Sequence, residues 1–296
     1  MRSVRLPLLL AVVAFALAAC GSSDDSGSSS SSSAAADAGS TSTAAAANRC
    51  TKDQLKTRTP GTLTIATDKP AFPPYFADDD PTNGKGFESA VAYAIAEKLG
   101  FAKTDVKWTT EPFNSSYAPG PKKFDFDVNQ ISITPARAKR VDFSTPYYTA
   151  PQALVALKSA NAANATSLAA LQDAKLGVQI GTTSLDAVQQ VVKPSSQPKV
   201  FNDSNDVVTA LKQNQADAVV TDLPTAFYIT AAQVPGSKIV GQFSAPGGDT
   251  WGALMQKDSP LTDCVNQAIA DLKEAGTLGS LEQRWLGAAA GAPVLK

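Results

Sequence analysis

The chain has 296 residues, of which 43% are hydrophobic and 18% charged, and its formal net charge is −1. It contains no histidine, which excludes His-based catalytic triads, histidine metal ligands and histidine proton shuttles. No basic run is long enough to follow a phosphate backbone, so we expect no nucleic-acid partner. We also expect neither a metal site nor a cofactor. The length allows one large core or two smaller ones.

Residues 1–19 are predicted to be a signal peptide and not part of the fold. Arg2 and Arg5 precede a short apolar run, and small residues then lead to Cys20. The run is short for a membrane span and fits the apolar part of a signal peptide. The segment LAAC resembles a bacterial lipobox, in which the cysteine is lipidated and becomes the new N-terminus. Ordinary signal cleavage and an uncleaved anchor are the alternatives.

Residues 20–49 are predicted to be a disordered tether. The segment is rich in Ser, Ala and Gly, and residues 21–48 include no large apolar side chain. Such a segment cannot bury enough surface to fold. A flexible chain of this length spans roughly 30 Å on average. We therefore expect an extracytoplasmic body that is lipid-anchored to the bacterial cell membrane.

The folded body begins with alternating strand and helix patterns. Strands are predicted over 62–67, 106–110 and 126–133, and a helix over 86–100. The apolar residues of this predicted helix share one face, and Gly100 ends the helix. This alternation is typical of an α/β domain with a mainly parallel sheet.

A second set of elements follows Tyr148 and has a similar order. Residues 122–138 and 214–228 both contain an Asp, a strand, a polar turn and a Pro near a helix start. This similarity indicates two related lobes, although shared α/β patterning also produces it. The remaining predicted strands are 153–157, 174–180, 199–201, 216–222 and 252–255. The remaining predicted helices are 183–192, 206–214, 222–233, 260–276 and 277–287, with a short helical turn near Leu168 and Leu171.

Three predicted helix starts follow strands, and helix N-termini favour anions. Thr134 and Pro135 are typical of a helix start. They place Arg137 in the first turn, where a cation is mildly unfavourable without an anion. The GTTS segment at 181–184 and Asp222 mark the other two starts. A cleft with a guanidinium on one wall and a carboxylate on the other is complementary to a zwitterion.

Structural roles are equally compatible with these residues. Asp222 is an acceptable helix N-cap, and the threonines of GTTS can cap their own helix. Arg137 can pair with Asp142 or Asp125. The aromatic residues of the PAFPPYF and EPFNSS segments are more often core residues than ligand contacts, but several near strand ends can form an apolar wall.

Cys50 and Cys264 lie far apart in the sequence of the predicted exported body. An even number of cysteines in an exported protein is readily explained by a disulfide. On the chain-entropy model, a loop of this length would stabilise the fold by up to about 5 kcal/mol. Two buried free thiols are the alternative.

From about Thr62 to Leu286 the sequence resembles the bacterial extracellular solute-binding proteins of polar amino-acid ABC importers, which include glutamine- and histidine-binding proteins. The order and spacing of several modest motifs carry this resemblance. They are TIATDKPAFPPYF, GFESAVAYAIAEKLG, ISITPARAKRVDFSTPYY, GVQIGTTS, ADAVVTDLP and LEQRWLG.

The resemblance implies roles for individual residues. Arg137 would bind the ligand α-carboxylate through its planar fork, and Asp222 would take the α-ammonium group. Further contacts are implied for Ser132, Thr182 and Thr183, for the aromatic pair Phe72 and Phe113, and for Asp68 at the ligand side chain. The sequence departs from the family at Asn129 and Gln130, whose amides can narrow the pocket or bind a polar ligand end, and at Glu88, where Asp is usual.

The implied fold is α/β and periplasmic-binding-protein-like type II, with two lobes joined by two hinge crossovers and a ligand cleft between them. The implied function is capture of a polar, glutamine-like L-amino acid by a monomer that closes and then docks on an ABC permease. An exported dehydratase on the same fold is the alternative, with Glu88, Glu111 and Asp68 as candidate acids. A receptor sensor domain is a third interpretation. The lack of a second apolar span after Leu286 argues against it in this sequence. The predicted boundaries are 50–149 plus 250–288 for lobe 1, 150–249 for lobe 2, 289–296 for a C-terminal tail, and hinges near 149–153 and 244–251.

Overall fold

The structure is a computed structural model that describes residues 49–287 and 291–296. The predicted signal peptide, Cys20 and nearly all of the predicted tether lie outside the described residues. Among the helices that are described, none is both long and apolar enough to cross a membrane.

Twelve strands are present in the described residues. In chain order they are β1 (Leu63–Thr67), β2 (Val106–Thr110), β3 (Phe126–Asp127), β4 (Val141–Phe143), β5 (Tyr148–Thr149), β6 (Gln152–Leu157), β7 (Leu176–Gln179), β8 (Lys199–Phe201), β9 (Ala218–Asp222), β10 (Ser237–Phe243), β11 (Thr250–Trp251) and β12 (Leu254–Gln256).

Eight α-helices are present in the same part of the chain. They are α1 (Phe87–Lys98), α2 (Phe113–Ser116), α3 (Pro135–Ala138), α4 (Thr183–Ala187), α5 (Ser204–Lys212), α6 (Leu223–Tyr228), α7 (Thr262–Glu274) and α8 (Thr277–Leu286). The π-helical segments Val188–Val192 and Ile229–Gln233 continue α4 and α6. Short 3₁₀ turns occur at Lys52–Gln54, Pro81–Asn83, Lys103–Asp105, Asn161–Asn164 and Ala169–Leu171.

The first sheet has the strand order β2-β1-β3-β12-β4. Strands β2 and β3 run parallel to β1, whereas β12 runs antiparallel to both β3 and β4. The sheet is therefore mixed, and the prediction of a mainly parallel sheet holds only for its first three strands. The strand predicted over 126–133 ends after Asp127, because the chain turns at Gln130, whose φ is +49°.

The second sheet has the strand order β10-β6-β9-β7-β8. Here β7 is parallel to β8 and β9, while β6 is antiparallel to β9 and β10. The sequence did not predict β10. This edge strand reads SKIVGQF, without a regular alternation of apolar and polar residues, and its pairing shifts register between Ile239 and Gly241.

The two sheets belong to separate hydrophobic cores. The core beside the first sheet contains large aromatic side chains, among them Tyr75, Phe87 and Trp251, all almost fully buried. A disulfide joins Cys50 to Cys264 at its edge, and the S–S distance is 2.07 Å. The predicted pairing is therefore present in the structure.

Two chain segments cross between the sheets side by side. The chain leaves the first lobe at β5 and enters the second at β6, and it returns from β10 to β11. Strands β5 and β11 pair antiparallel, with Thr149 opposite Thr250. Gln152 of the first crossing donates from Nε2 to Asp249 Oδ1 of the second at 3.2 Å. The two crossings therefore form one connected unit.

The C-terminal residues 291–296 pack on the second lobe, although the sequence set 289–296 apart as a tail. The N–H of Gln242 donates to the Pro293 carbonyl at 2.7 Å, and the N–H of Leu295 donates to the Gln242 carbonyl at 2.8 Å. The Leu295 side chain is buried in the second lobe. Gly241 makes room for it, because a Cβ there would lie 2.5 Å from Leu295.

Candidate functional site

A cavity of about 360 Å³ lies between the two lobes, at the carboxyl ends of several strands. This is where ligands bind in open α/β sheets. The structure brings all the residues singled out by the sequence for ligand contact to this one cavity. They are Asp68, Phe72, Phe113, Gln130, Ser132 and Arg137 from the first lobe, and Thr182, Thr183 and Asp222 from the second.

Arg137 is nearly buried in the cavity wall. The Thr134 hydroxyl caps α3 by accepting the Arg137 N–H at 3.2 Å, which fixes the backbone. Nη1 of Arg137 donates to the Ser132 carbonyl at 2.7 Å, and Nη2 donates to the Gly181 carbonyl of the other lobe at 2.8 Å. The guanidinium also lies over the Tyr117 ring, with its Cζ 4.6 Å from the ring centroid.

The carboxylates that were considered as partners of Arg137 are engaged elsewhere. Asp142 pairs with Lys257 at 2.9 Å. Asp125 accepts two backbone N–H groups, one of them from Thr64 at 2.7 Å. Among the described residues, no carboxylate forms an ion pair with Arg137. Burial lowers the pKa of this guanidinium, although the negative charges of Asp186 and Asp222 act in the opposite direction. Arg137 is therefore a desolvated cation without a direct ion-pair partner among the described residues.

Asp222 ends β9 and lies in the cavity opposite Arg137. Its side chain does not cap α6, so the capping interpretation is not supported. Burial raises the pKa of Asp222 to about 7; the hydrogen bond from Gln152 opposes this shift and the negative charge of Asp249 adds to it. Gln152 Nε2 donates to Asp222 Oδ1 at 2.8 Å. One carboxylate oxygen is therefore held by the crossing segment.

The hydroxyl groups of the cavity have different roles. Thr182 caps α4: its Oγ1 accepts the Leu185 N–H at 3.2 Å, as the capping interpretation predicted. Thr183 Oγ1 instead lies 3.2 Å from Ser132 Oγ on the other lobe. Both of these hydroxyls are almost fully buried, and they meet directly beside Arg137.

Other side chains hold the lobes together and were not singled out by the sequence. The Tyr75 and Thr225 hydroxyls lie 2.8 Å apart across the cleft. The Tyr117 hydroxyl donates to the Gly181 carbonyl at 3.2 Å. Tyr75 lies in an aromatic segment noted above, but no local pattern distinguishes a residue that spans the cleft from a core residue. These contacts describe a cleft whose walls touch.

Glu88 does not line the cavity, but it binds Gln130, which does. Its carboxylate accepts the Gln130 N–H at 2.7 Å, and it also bonds the Gln130 amide and the Tyr147 hydroxyl. These bonds hold Gln130 in the left-handed region, which is costly for a non-glycine residue. Burial raises the pKa of Glu88 to about 7. Of the three acids considered for a dehydratase, only Asp68 lines the cavity; Glu88 and Glu111 do not.

Comparison with known proteins adds to this geometry. The model of the bacterial extracellular solute-binding proteins, family 3, matches residues 63–288. The chain is 28% identical over 237 residues to the L-cystine-binding protein TcyJ of Escherichia coli (strain K12), covering 79% of this chain and 85% of that protein.

Two solved structures are also similar, and both have ancestral sequences. One is an arginine-binding protein bound to glutamine, with a TM-score of 0.65 and 32% identity over 78% of this chain and 100% of that one. The other is an arginine-binding protein bound to arginine, with a TM-score of 0.63 and 33% identity over 77% of this chain and 99% of that one. The fold is that of the type II periplasmic binding proteins, and the relatives named here are binding proteins and not enzymes. The chain belongs to the bacterial extracellular solute-binding proteins, family 3.

Proposed function

We propose that this protein is the extracytoplasmic binding component of an ABC importer and that it captures an L-amino acid in the cavity between its lobes. The observation that carries the proposal is the placement of Arg137 and Asp222 in one cavity, from opposite lobes. A free amino acid carries the two complementary charges on adjacent groups. The relatives named above are described with cystine, arginine or glutamine, which all share this α-amino-acid end.

Arg137 and Asp222 form the two ends of a clamp, which would hold the α-carboxylate and the α-ammonium group of the ligand through hydrogen bonds. Two N–H groups of Arg137 are bound to carbonyls, and three of its five donors remain for a carboxylate. The Ser132 and Thr183 hydroxyls lie beside it and can donate to the same carboxylate. The Asp222 oxygen that Gln152 does not hold can accept from the α-ammonium. Burying both ligand charges is tolerable because each meets an opposite charge and hydrogen bonds.

Ligand capture by two lobes implies a hinge. We place the hinge in the two crossings near 149–153 and 244–251, which join lobe 1 (50–149 with 250–288) to lobe 2 (150–249). A ligand that touches both walls binds the closed form better than the open form, and it shifts the equilibrium by that difference in affinity. Arg137 and Asp222 lie on different lobes, so only the closed form offers both charges at once.

We further propose that Cys20 is lipidated after removal of residues 1–19, and that the segment up to residue 49 tethers a monomer to the cell membrane. The closed, loaded form would then meet the permease subunits of the importer in that membrane. Labelling cells with an alkyne fatty acid tests the anchor. The mature protein should carry the label, a Cys20→Ala variant should not, and a labelled variant would contradict the assignment.

A thermal-shift screen of the purified protein against the common L-amino acids tests the clamp. The protein is first unfolded and refolded to remove any co-purified ligand. One or a few L-amino acids should raise the Tm, and their D-enantiomers should not. We expect Arg137→Lys and Asp222→Asn each to weaken binding by roughly 30-fold or more, because removing one partner of a buried charge pair costs about 2–5 kcal/mol.

Matched controls separate the clamp from general charge effects. Arg140 and Asp206 are exposed and do not line the cavity. Arg140→Lys and Asp206→Asn should therefore bind as the parent protein does. A folded, ligand-free protein that responds to no amino acid would overturn the proposal, as would full binding by Asp222→Asn.

A further inference from the structure

We infer that Asp203 determines specificity and that, together with Asp68, it selects an amino acid whose side chain ends in a positive charge. The inference deepens the proposed function and rests on it, because it concerns the far end of the ligand held by Arg137 and Asp222. It replaces the glutamine-like side chain expected from the sequence with a cationic one, such as a guanidinium or a primary ammonium.

The charges that line the cavity carry the first step. The charged residues in the lining are Asp68, Lys69, Arg137, Asp203 and Asp222. An amino acid neutralises Arg137 and Asp222 with its own α-groups. Two carboxylates and one ammonium then remain, and the ammonium is directed elsewhere: Lys69 Nζ lies 3.4 Å from Asp79 Oδ2, and the Lys69 side chain is 63% exposed. A cavity with excess negative charge favours a cationic side chain over a neutral one.

Asp68 and Asp203 face the cavity from opposite lobes, as Arg137 and Asp222 do. Asp68 is fixed by two backbone donors, the N–H of Lys69 at 2.7 Å and the N–H of Phe113 at 3.2 Å. The pKa of Asp68 is raised by burial first, and the negative charge of Asp203 raises it further. The two carboxylates therefore act on each other across the cleft, and a cation between them would relieve that repulsion.

Asp203 has carboxylate capacity to spare for a ligand. It is the N-cap of α5, where Oδ1 accepts the Asp206 N–H at 2.9 Å. Within the described residues, no protein donor is bonded to Oδ2. Asp203 is exposed and lines the cavity, so a ligand can reach Oδ2 without displacing a protein contact.

The cavity lining is also polar, and it contains an unpartnered group. Asn129 lines the cavity, is only 6% exposed, and its Nδ2 has no hydrogen-bond partner among the described residues. A buried amide without a partner costs free energy. Asn202, Ser204 and Asn205 continue the polar lining beside Asp203. Their amide and hydroxyl oxygens can accept hydrogen bonds from a guanidinium or an ammonium group. Asn129 Nδ2 is itself a donor, so it can be satisfied by an acceptor such as the ligand carboxylate but not by a cationic side chain.

L-Arginine and L-citrulline provide the test, because they match closely in shape and only arginine carries the side-chain charge. Their affinities are measured by isothermal titration at one salt concentration, alongside L-lysine and L-glutamine. The parent protein should bind arginine or lysine at least about tenfold more tightly than citrulline, since hydrogen bonds to charged groups contribute about 1.5–3 kcal/mol. Equal or tighter binding of citrulline or glutamine would overturn the cationic assignment.

Asp203→Asn is the informative variant, because Asn is as good an N-cap as Asp and α5 is kept. We expect it to weaken binding of the cationic ligand about tenfold and to change citrulline binding less than about threefold. Asp206→Asn removes the same charge from the same helix, away from the cavity, and should do neither. An equal effect of both variants would overturn the specific role of Asp203.

The two levels of proposal fail differently. If amino acids bind and the clamp variants abolish binding, but arginine and citrulline bind equally, the specificity inference is wrong and the proposed function stands. If the refolded protein binds none of the four ligands and none of the other common amino acids, the proposed function itself is wrong.

Discussion

The two lobes share a similar pattern of strands and helices, but their cores and their cavity walls contain different residues. The first lobe buries large aromatic side chains and is closed by a disulfide. The second buries mainly alanine, valine and leucine, and residues 291–296 complete it. At the cavity, the first lobe supplies the cation and the aromatic wall, and the second supplies the carboxylate at the end of β9. The sheet topology that the two lobes share therefore determines where the cavity lies. The side chains at the strand ends determine which charges and contacts each lobe contributes to it.

The lobes should differ most in how much free energy of unfolding is lost when a buried side chain is truncated. Phe87 and Val178 are both fully buried, the first in the aromatic core and the second in strand β7 of the other sheet. Phe87→Ala should lower the free energy of unfolding by about 3–5 kcal/mol, because it leaves a large cavity. Val178→Ala removes only two methyl groups and should cost roughly 2 kcal/mol.

Spectroscopy can assign each loss to its lobe. The three tryptophans, Trp108, Trp251 and Trp285, all pack in or against the first core. Fluorescence therefore follows the first lobe, while far-UV circular dichroism follows both. In urea, Phe87→Ala should shift the fluorescence midpoint more than Val178→Ala does. A larger fluorescence shift from Val178→Ala would contradict the separation of the cores.

The disulfide belongs to the first lobe alone and should act there. Replacing Cys50 and Cys264 together by Ser should lower the free energy of unfolding by about 2–5 kcal/mol. The change should be seen in the fluorescence transition measured without reductant. As a control, reductant should destabilise the parent protein and leave the double variant unchanged. A variant as stable as the oxidised parent would contradict the prediction.

The C-terminal residues should contribute to the second lobe. Leu295 is 4% exposed, and its neighbour Val294 is 63% exposed. Leu295→Ala should cost about 2 kcal/mol or more, since it truncates a buried leucine. Val294→Ala should stay within about 0.5 kcal/mol of the parent, as exposed positions do. Circular dichroism in urea measures both variants, and equal effects would show that the tail is not docked in solution.

The stability of both lobes should also depend on pH. Burial raises the pKa of Glu88 and Asp222 to about 7 and that of Asp127 to about 8. A carboxyl group whose pKa is higher in the folded state holds its proton there, so its stabilisation is complete near pH 4 and is lost as the pH rises through the folded pKa. The Tm of the ligand-free protein should therefore fall between about pH 5 and pH 8.

Amide variants and a bound ligand test which carboxyl group causes this pH dependence. Glu88 and Asp127 lie in the first lobe and Asp222 in the second, so Asp127→Asn should flatten the fluorescence profile and Asp222→Asn should not. An amino acid whose ammonium pairs with Asp222 lowers the pKa of that group. The increase in Tm that this amino acid produces should consequently grow as the pH rises through about 7. A ligand shift that is independent of pH would contradict the pairing.

Much of the fold could be predicted because local patterns specified it. The strand over 106–110 has the predicted bounds, and the helix predicted over 86–100 is α1 with its ends trimmed. Strand β10 was missed and β3 was overextended, since an edge strand without alternation and a chain turn stabilised by Glu88 have no local signature. The antiparallel pairing of β6 with β9, and that of β12 with β3, depend on the chain crossing between the lobes and returning, which no short window of sequence contains.

The sequence by itself determined the family, the two-lobed α/β architecture, the nine predicted contact residues that line the cavity and the pair of cysteines that form the disulfide. Each of these depends on residue type and order along the chain. Only the tertiary structure decided that Arg137 bonds the Gly181 carbonyl, that Gln152 connects Asp222 to Asp249, and that Asp203 and Asp68 line one cavity from different lobes. Such contacts join residues that are far apart in the chain, so they exist only once the two lobes are folded and brought together.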